Sequence, residues 1–341
     1  MKLIAQDGFI QNLFLTSSDS EERKDIFAFL KEDFEGYDLI CDFKDQSEFE
    51  SAMLENPLWE ILMDKIDTIE YEVLLENKIT QDDFYDKIGE YNIFLINSNS
   101  TDCKILTKER GYLYINDENI ESTWKIIMEM RKGIPYKVTN STIVPEIQRF
   151  NSWTRFNQII TPISSMIIFD NYILKDQDNQ KIRNNLLPLL EVLMANSHTR
   201  KPLTLTIITQ PSPGQCIMHL RGIINAHLIS KGILNVQINI IKHFKRFYPA
   251  NFEGLHSRYI LTNYLRIKSE DSFNYFKANG KVNNDADVHV DFCFDKKSKF
   301  LYQKELIDIK KYINRINNDP NNPEDDFKII FHPNKINHLL N

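Results

Sequence analysis

His256, Arg258 and Asn263 stand together in one run, Gly-Leu-His-Ser-Arg-Tyr-Ile-Leu-Thr-Asn-Tyr, that begins at Gly254. In a β-strand, residues at even offsets share a face. His256, Arg258, Ile260 and Thr262 would then line one side, with Asn263 just past the point where the strand turns. An imidazole beside a guanidinium is a receptor for a phosphate. With activation, the same imidazole could attack phosphorus. The ordinary alternative is a strand whose polar face is merely solvated.

Other residues offer weaker chemistry, each beside a structural explanation. Lys242-His-Phe-Lys245-Arg246-Phe-Tyr interleaves cations with rings. Single-stranded nucleic acid is held by that combination, and ordinary loops also carry it. Asp170 ends an apolar run, Ile-Ile-Phe-Asp-Asn-Tyr, where strand ends of α/β sheets carry function or a carboxylate caps a loop. His289 and Asp291 alternate with apolar residues and read as a base pair of catalytic groups or as an exposed sheet face. Gln210-Pro-Ser-Pro-Gly214 opens a helix after a strand, where backbone N–H groups hold anions. It lacks the lysine and spacing of a nucleotide loop. Asp33, Asp38 and Asp42 suit a metal-dependent nuclease or a solvated acidic surface.

The elements that must position these residues alternate between strand and helix, which predicts an α/β layered fold. The first part, to about residue 140, is acidic. Strands are expected at 2–10, 13–16, 37–43, 68–75, 91–96 and 113–115, and helices at 20–35 and 119–130. Residues 46–64 read as helical with a break at Pro57, since proline removes a donor and clashes with the preceding turn. Gly133 and Pro135 interrupt the pattern, so a boundary is placed between 133 and 150, followed by a helix over 145–157. The second part then predicts strands at 165–174, 203–209, 236–243, 255–261, 264–267 and 286–294. Helices are expected at 181–195, 215–231 and 299–316. The division is a smaller α/β domain over 1–140, a second domain over 145–316 and a tail over 317–341 with an edge strand at 327–331. Helices of such length between strands favour a mixed, mainly parallel sheet flanked by helices.

The chain has 341 residues, a net charge of -7 and 42% hydrophobic residues. Domains run to about 100–200 residues, which agrees with two of them. The acidic balance excludes coating of nucleic acid by bulk electrostatics but leaves room for a local basic patch. The four cysteines, Cys41, Cys103, Cys216 and Cys293, are far apart, in or near apolar runs. Buried thiols are expected there, without disulfides or zinc. No window holds about 18 uncharged apolar residues, so no membrane span is expected. Nor do the first residues read as a signal peptide. A reducing, cytoplasmic setting follows. No cofactor and no metal site are expected.

The run at His256 and the order of elements over about residues 145–316 resemble one half of a phospholipase D-like (HKD) domain. That family's signature is histidine, any residue, lysine, four residues and aspartate, followed by glycine-serine and an asparagine. His256 takes the histidine place, Arg258 the lysine place and Asn263 the aspartate place. Glu270 and Asp271 stand where glycine and serine belong, and Ser272 and Asn274 lie close enough to substitute. Arginine for lysine, then a polar turn and a second strand, resembles the C-terminal domain of MIT-domain proteins.

The resemblance implies a metal-independent chemistry in which two such motifs meet. One histidine attacks phosphorus, the other protonates the leaving oxygen, lysines bind phosphate and the aspartate orients histidine. No histidine precedes His198, so activity would need a homodimer. Asn263 lacks the charge that stabilises an imidazolium, while Arg258 still binds phosphate. The degenerate motif therefore suits binding. The expected function is intracellular binding of a phosphate-bearing partner, nucleic acid ahead of phospholipid. Lys242, Lys245 and Arg246 would supplement Arg258, Ser272 and Asn274. Domains like this recur in bacterial conflict and antiviral defence proteins, which is the expected context. The alternatives are a phosphodiesterase or nuclease working as a homodimer, and a structural subunit that docks a protein partner.

Overall fold

The computed structural model describes the chain except residues 35, 75–78, 80, 90, 91, 132–135, 159–161, 176–178, 196–201, 211, 243–257, 319–327, 330–336 and 341. His256, Lys245 and Arg246 therefore lie outside the described residues.

The chain is α/β, built on two sheets. The first part runs β1 (Lys2–Ala5), α1 (Asp7–Leu15), α2 (Glu21–Glu32), β2 (Tyr37–Cys41), α3 (Gln46–Glu55), α4 (Pro57–Met63) and β3 (Ile66–Tyr71). It continues through α5 (Asp82–Ile88), β4 (Asn92–Leu95), α6 (Ser100–Arg110), β5 (Leu113–Ile115) and α7 (Ile120–Arg131). Among the described residues, five strands form a parallel sheet in the order β3-β2-β1-β4-β5.

Local chemistry sets the boundaries of several elements. Ser20 caps α2 by accepting from the Arg23 N–H. Asn56 ends α3 and caps α4 by accepting from the Leu58 N–H, with Pro57 in the first turn, where its missing donor costs nothing. Residues 7–15, expected to be mostly strand, form α1 instead. Phe9, Ile10 and Leu13 are all buried there, at spacings that one helix face satisfies. α5 and α6 are helices outside the elements expected from sequence. Asn99 caps α6 by accepting from the Asp102 N–H, and Gly111 at φ 75° ends it.

The second part runs β6 (Tyr136–Val138), β7 (Arg149–Phe150), a 3-10 turn (Trp153–Gln158) and β8 (Ser165–Phe169). A π-helical turn (Ile182–Leu186) leads into α8 (Leu187–Met194), then β9 (Leu203–Thr209), α9 (Ile217–Ser230), β10 (Val236–Lys242), β11 (Arg258–Thr262) and β12 (Leu265–Ser269). β13 (Ala286–Phe292), α10 (Lys296–Asn317) and β14 (Lys328–Ile329) complete it. Among the described residues, nine strands are ordered β14-β10-β9-β8-β11-β12-β13-β6-β7. β8, β9 and β10 form a parallel centre, and β11, β12 and β13 add an antiparallel meander. The stretch read as a boundary supplies β6 and β7 at one end of this sheet. The helix expected over 145–157 is instead β7 and the 3-10 turn. Phe150, Trp153 and Phe156 pack there as rings against Tyr275 and Phe276. β14 pairs antiparallel with β10 at the other end.

One apolar core runs through both sheets. Tyr264, in the β11–β12 turn, donates its hydroxyl to Asn92 O and accepts from the Leu113 N–H at 2.7 Å. Phe294 lies between the Tyr264 ring and that of Phe34. α10 is clamped to the meander by Arg266, which donates to Glu305 at 2.9 and 2.7 Å and to Asp291 at 2.8 Å. Asp291 is thus part of an ion network between elements. Among the described residues, no helix is long and apolar enough to cross a membrane.

Candidate functional site

Strand register gathers polar residues along one edge of the second sheet. Lys242 pairs with Thr209, and Phe169 pairs with Ile208 and with Tyr259. One step further along those registers, Thr209, Asp170 and Arg258 fall side by side, and Arg258 pairs with Ser269. Lys242, Thr209, Asp170, Arg258 and Ser269 therefore form a row across five strands. At about 4.8 Å per strand, Lys242 and Arg258 stand roughly 14 Å apart. This is the edge formed by the carboxyl ends of the parallel strands β8, β9 and β10, where α/β sheets bind ligands.

Asp170 organises the middle of the row. It is fully buried. One carboxylate oxygen accepts from the Tyr172 N–H at 2.8 Å and the Ser272 hydroxyl at 3.0 Å. The other accepts from the same hydroxyl at 2.8 Å and the Phe273 N–H at 2.8 Å. Burial pushes its pKa up, and the two N–H groups, the Ser272 hydroxyl and the Arg258 charge pull it back. The carboxylate pins the loop after β12 to the end of β8. Asn274 fastens the same loop again, donating to Tyr172 O at 2.8 Å and to the Ser272 hydroxyl at 2.9 Å. Arg258, Ser272 and Asn274, three of the residues singled out from sequence, are thus brought together around Asp170.

Tyr172 and Lys175 belong to the site and were missed. Tyr172 is 39% exposed. The Arg258 guanidinium sits 5.8 Å from its centroid and the Lys175 ammonium 5.4 Å. Arg258 also donates to Glu270 O at 3.1 Å, which sets the direction of its side chain. The available signal was the Asp-Asn-Tyr that follows an apolar strand, since residues just past such a strand face its ligand edge.

Asn263 is elsewhere. It is fully buried at the opposite end of β11. Its oxygen accepts from the Ser164 and Ser165 N–H groups at 2.9 and 3.1 Å, and its amide donates to the Ser164 hydroxyl at 2.6 Å. It closes the entry to β8. Lys242 is half-buried at the end of β10, in the row but three strands from Arg258. His289 stands opposite Lys268 in the meander, and Asp291 is held by Arg266.

Asp38 and Asp42 lie on and just past β2, with Asp42 accepting from the Leu74 N–H, and Asp33 ends α2. These carboxylates form no cluster. Among the described residues, no three His, Cys, Asp or Glu side chains are gathered for a metal. Cys41, Cys103 and Cys293 are buried, but Cys216 is exposed, contrary to expectation, because it precedes α9 in a surface loop.

The sequence matches no family model, and no curated protein is significantly similar to it.

Proposed function

We propose that this chain binds a phosphate-bearing partner, single-stranded nucleic acid, at the edge of the second sheet around Tyr172, Arg258 and Lys175. The observation that carries the reading is the partly exposed Tyr172 with the Arg258 and Lys175 cations 5.8 and 5.4 Å from its ring centroid. A base stacks on such a ring whatever its identity, and phosphates on either side meet the cations. Ser272 and Asn274 add a hydroxyl and an amide beside Arg258, and Lys242 extends the cationic row along the edge. The phospholipase D-like resemblance points to the same chemistry through the His256–Arg258 pair. The acidic net charge makes the contact local and strongly salt-dependent. The intracellular setting and a role in antiviral defence belong to this proposal as its context.

The test is a titration of a short labelled single strand, read by fluorescence anisotropy at fixed salt. Base stacking on an aromatic ring contributes about 1–3 kcal/mol, so Tyr172→Ala is expected to weaken binding about tenfold or more. Arg258→Ala is expected to weaken it similarly. Repeated over a series of salt concentrations, the same titration should show a shallower slope of log affinity against log salt, by about 0.7 for each phosphate that Arg258 neutralises. Arg315→Ala, on α10, serves as the remote control. Equal affinity for wild type and Tyr172→Ala would refute the site.

A further inference from the structure

The molecule carries a second recess, remote from the row described above. It lies over the outer edge of the first sheet, where β5 is the last strand and α6 and α7 rise on either side. Its volume is about 370 Å³, within the range of roughly 300–1,000 Å³ typical of small-molecule sites. Leu113, Ile126 and Ile127 form an apolar lining. Pro162 and Ala195, from the second part of the chain, close one side.

Charge at the recess is one-sided. Lys104 and Lys108 stand one turn apart on α6 and both line it. Like charges at this spacing repel, and among the described residues neither lysine is paired with a carboxylate. Three acids of this region have partners of their own. Asp102 accepts from the Asn99 side chain at 2.7 Å. Asp117 and Glu121 both bind Arg23, at 2.8 and 3.3 Å, and Glu121 also accepts from Ser20. With Glu121 held by α2, the first turn of α7 brings Ser122 and Thr123 to the recess. The recess is an apolar hollow whose charged lining residues are the two lysines.

We infer that this recess binds a small organic phosphomonoester, with its phosphate between Lys104 and Lys108 and an apolar or aromatic body against Leu113, Ile126 and Ile127. The dianion relieves the repulsion between the lysines, and charge-assisted hydrogen bonds to the phosphate oxygens set the orientation. The body removes apolar lining from water. The site is independent of the nucleic-acid edge and shares no residue with it.

The probe is 1-naphthyl phosphate, titrated into the full chain by calorimetry beside 1-naphthol and inorganic phosphate. Saturable binding of 1-naphthyl phosphate is expected, with each of the other two weaker by about tenfold or more, because each lacks one half of the interaction. The double variant Lys104→Gln, Lys108→Gln is expected to lose about tenfold or more. Ala195→Trp places a large ring at an exposed lining position. It should abolish binding with an unchanged melting temperature, and Arg258→Ala should leave binding intact. Absence of saturable binding by 1-naphthyl phosphate in the wild type would overturn the inference. So would binding that survives the double lysine variant but falls in Arg258→Ala, since that result assigns the phosphate to the other edge.

Discussion

Replacing Asp170 by asparagine changes one atom and breaks the logic of the site loop. Each carboxylate oxygen now accepts one backbone N–H, from Tyr172 on one side and Phe273 on the other. An asparagine has a single acceptor oxygen, and its amide nitrogen is a donor. Either orientation satisfies one N–H and points a donor at the other. The Ser272 hydroxyl can rotate to accept, but a backbone N–H cannot. A buried donor left unsatisfied costs about 1–3 kcal/mol. The amide also removes a buried charge, so the net cost should fall in the lower half of that range. Asp170→Ala leaves both N–H groups without partners and should cost about twice as much. Urea unfolding of the two variants against wild type reads the global cost. Hydrogen exchange over residues 270–276 reads the local one, and faster exchange is expected there in both variants. Wild-type stability in Asp170→Asn, with unchanged protection of the Phe273 amide, would refute the account of Asp170 as the pin of the loop.

Three further outcomes follow from the same structure. In the folded chain, only the exposed Cys216 should react quickly with a thiol reagent. Burial pushes Cys41 and Cys103 up to about 12 and raises Cys293 as well, so fast labelling of a second described thiol would contradict their burial. Burial raises the Asp7 pKa, and Asp42, Glu48 and Glu55 raise it further against the Trp59 hydrogen bond that lowers it. Its contribution to stability is full below the unfolded value of about 3.9 and is lost as pH rises through the higher folded value. Asp7→Asn removes that loss, so the variant should gain on wild type in urea midpoint between pH 4 and pH 7, and parallel curves would contradict the shift. The third outcome concerns Asn263.

What the sequence made legible follows periodicity and caps. α2, α7, α9 and the three parallel strands β8, β9 and β10 were readable because each is rich in apolar residues or has a clean boundary, such as Ser20 before α2 and Gly232 after α9. α1 was misread because Phe9 and Ile10 resume an apolar run after Gln6-Asp7-Gly8, and only the burial of Phe9, Ile10 and Leu13 on one face distinguishes helix from strand. α6 was invisible because its sequence, Ser-Thr-Asp-Cys-Lys-Ile-Leu-Thr-Lys-Glu-Arg, has a weak apolar face. At the candidate site, Arg258, Ser272 and Asn274 were named because family spacing brings them together. Tyr172 and Lys175 were not, because they are about 83–86 positions from Arg258 along the chain and meet it only through the pairing of β11 with β8. That antiparallel pairing is long-range information that no local pattern contains.

The same strand decides what Asn263 can do. β11 begins at Arg258 and ends at Thr262, so Arg258 and Asn263 stand at opposite edges of the sheet, about 17 Å apart at 3.3 Å per residue. The resemblance implies that the residue at the aspartate place orients the imidazole of His256, a residue outside those described. In the structure, Asn263 instead spends its oxygen on two N–H groups and its amide on the Ser164 hydroxyl. A carboxylate at this position would keep the two N–H bonds and turn the hydroxyl into a donor, but it would remain across the sheet from Arg258. Asn263→Asp should therefore leave hydrolysis of a simple phosphodiester, measured in chelator, where it stands in the wild type. A clear rise in rate would show that this position reaches the reacting histidine, and it would favour the enzymatic reading over the binding one. If the rate does not move, Asn263 acts through the folding of β8 and β11 alone, and Asn263→Ala should destabilise the chain without changing the salt dependence of nucleic-acid binding.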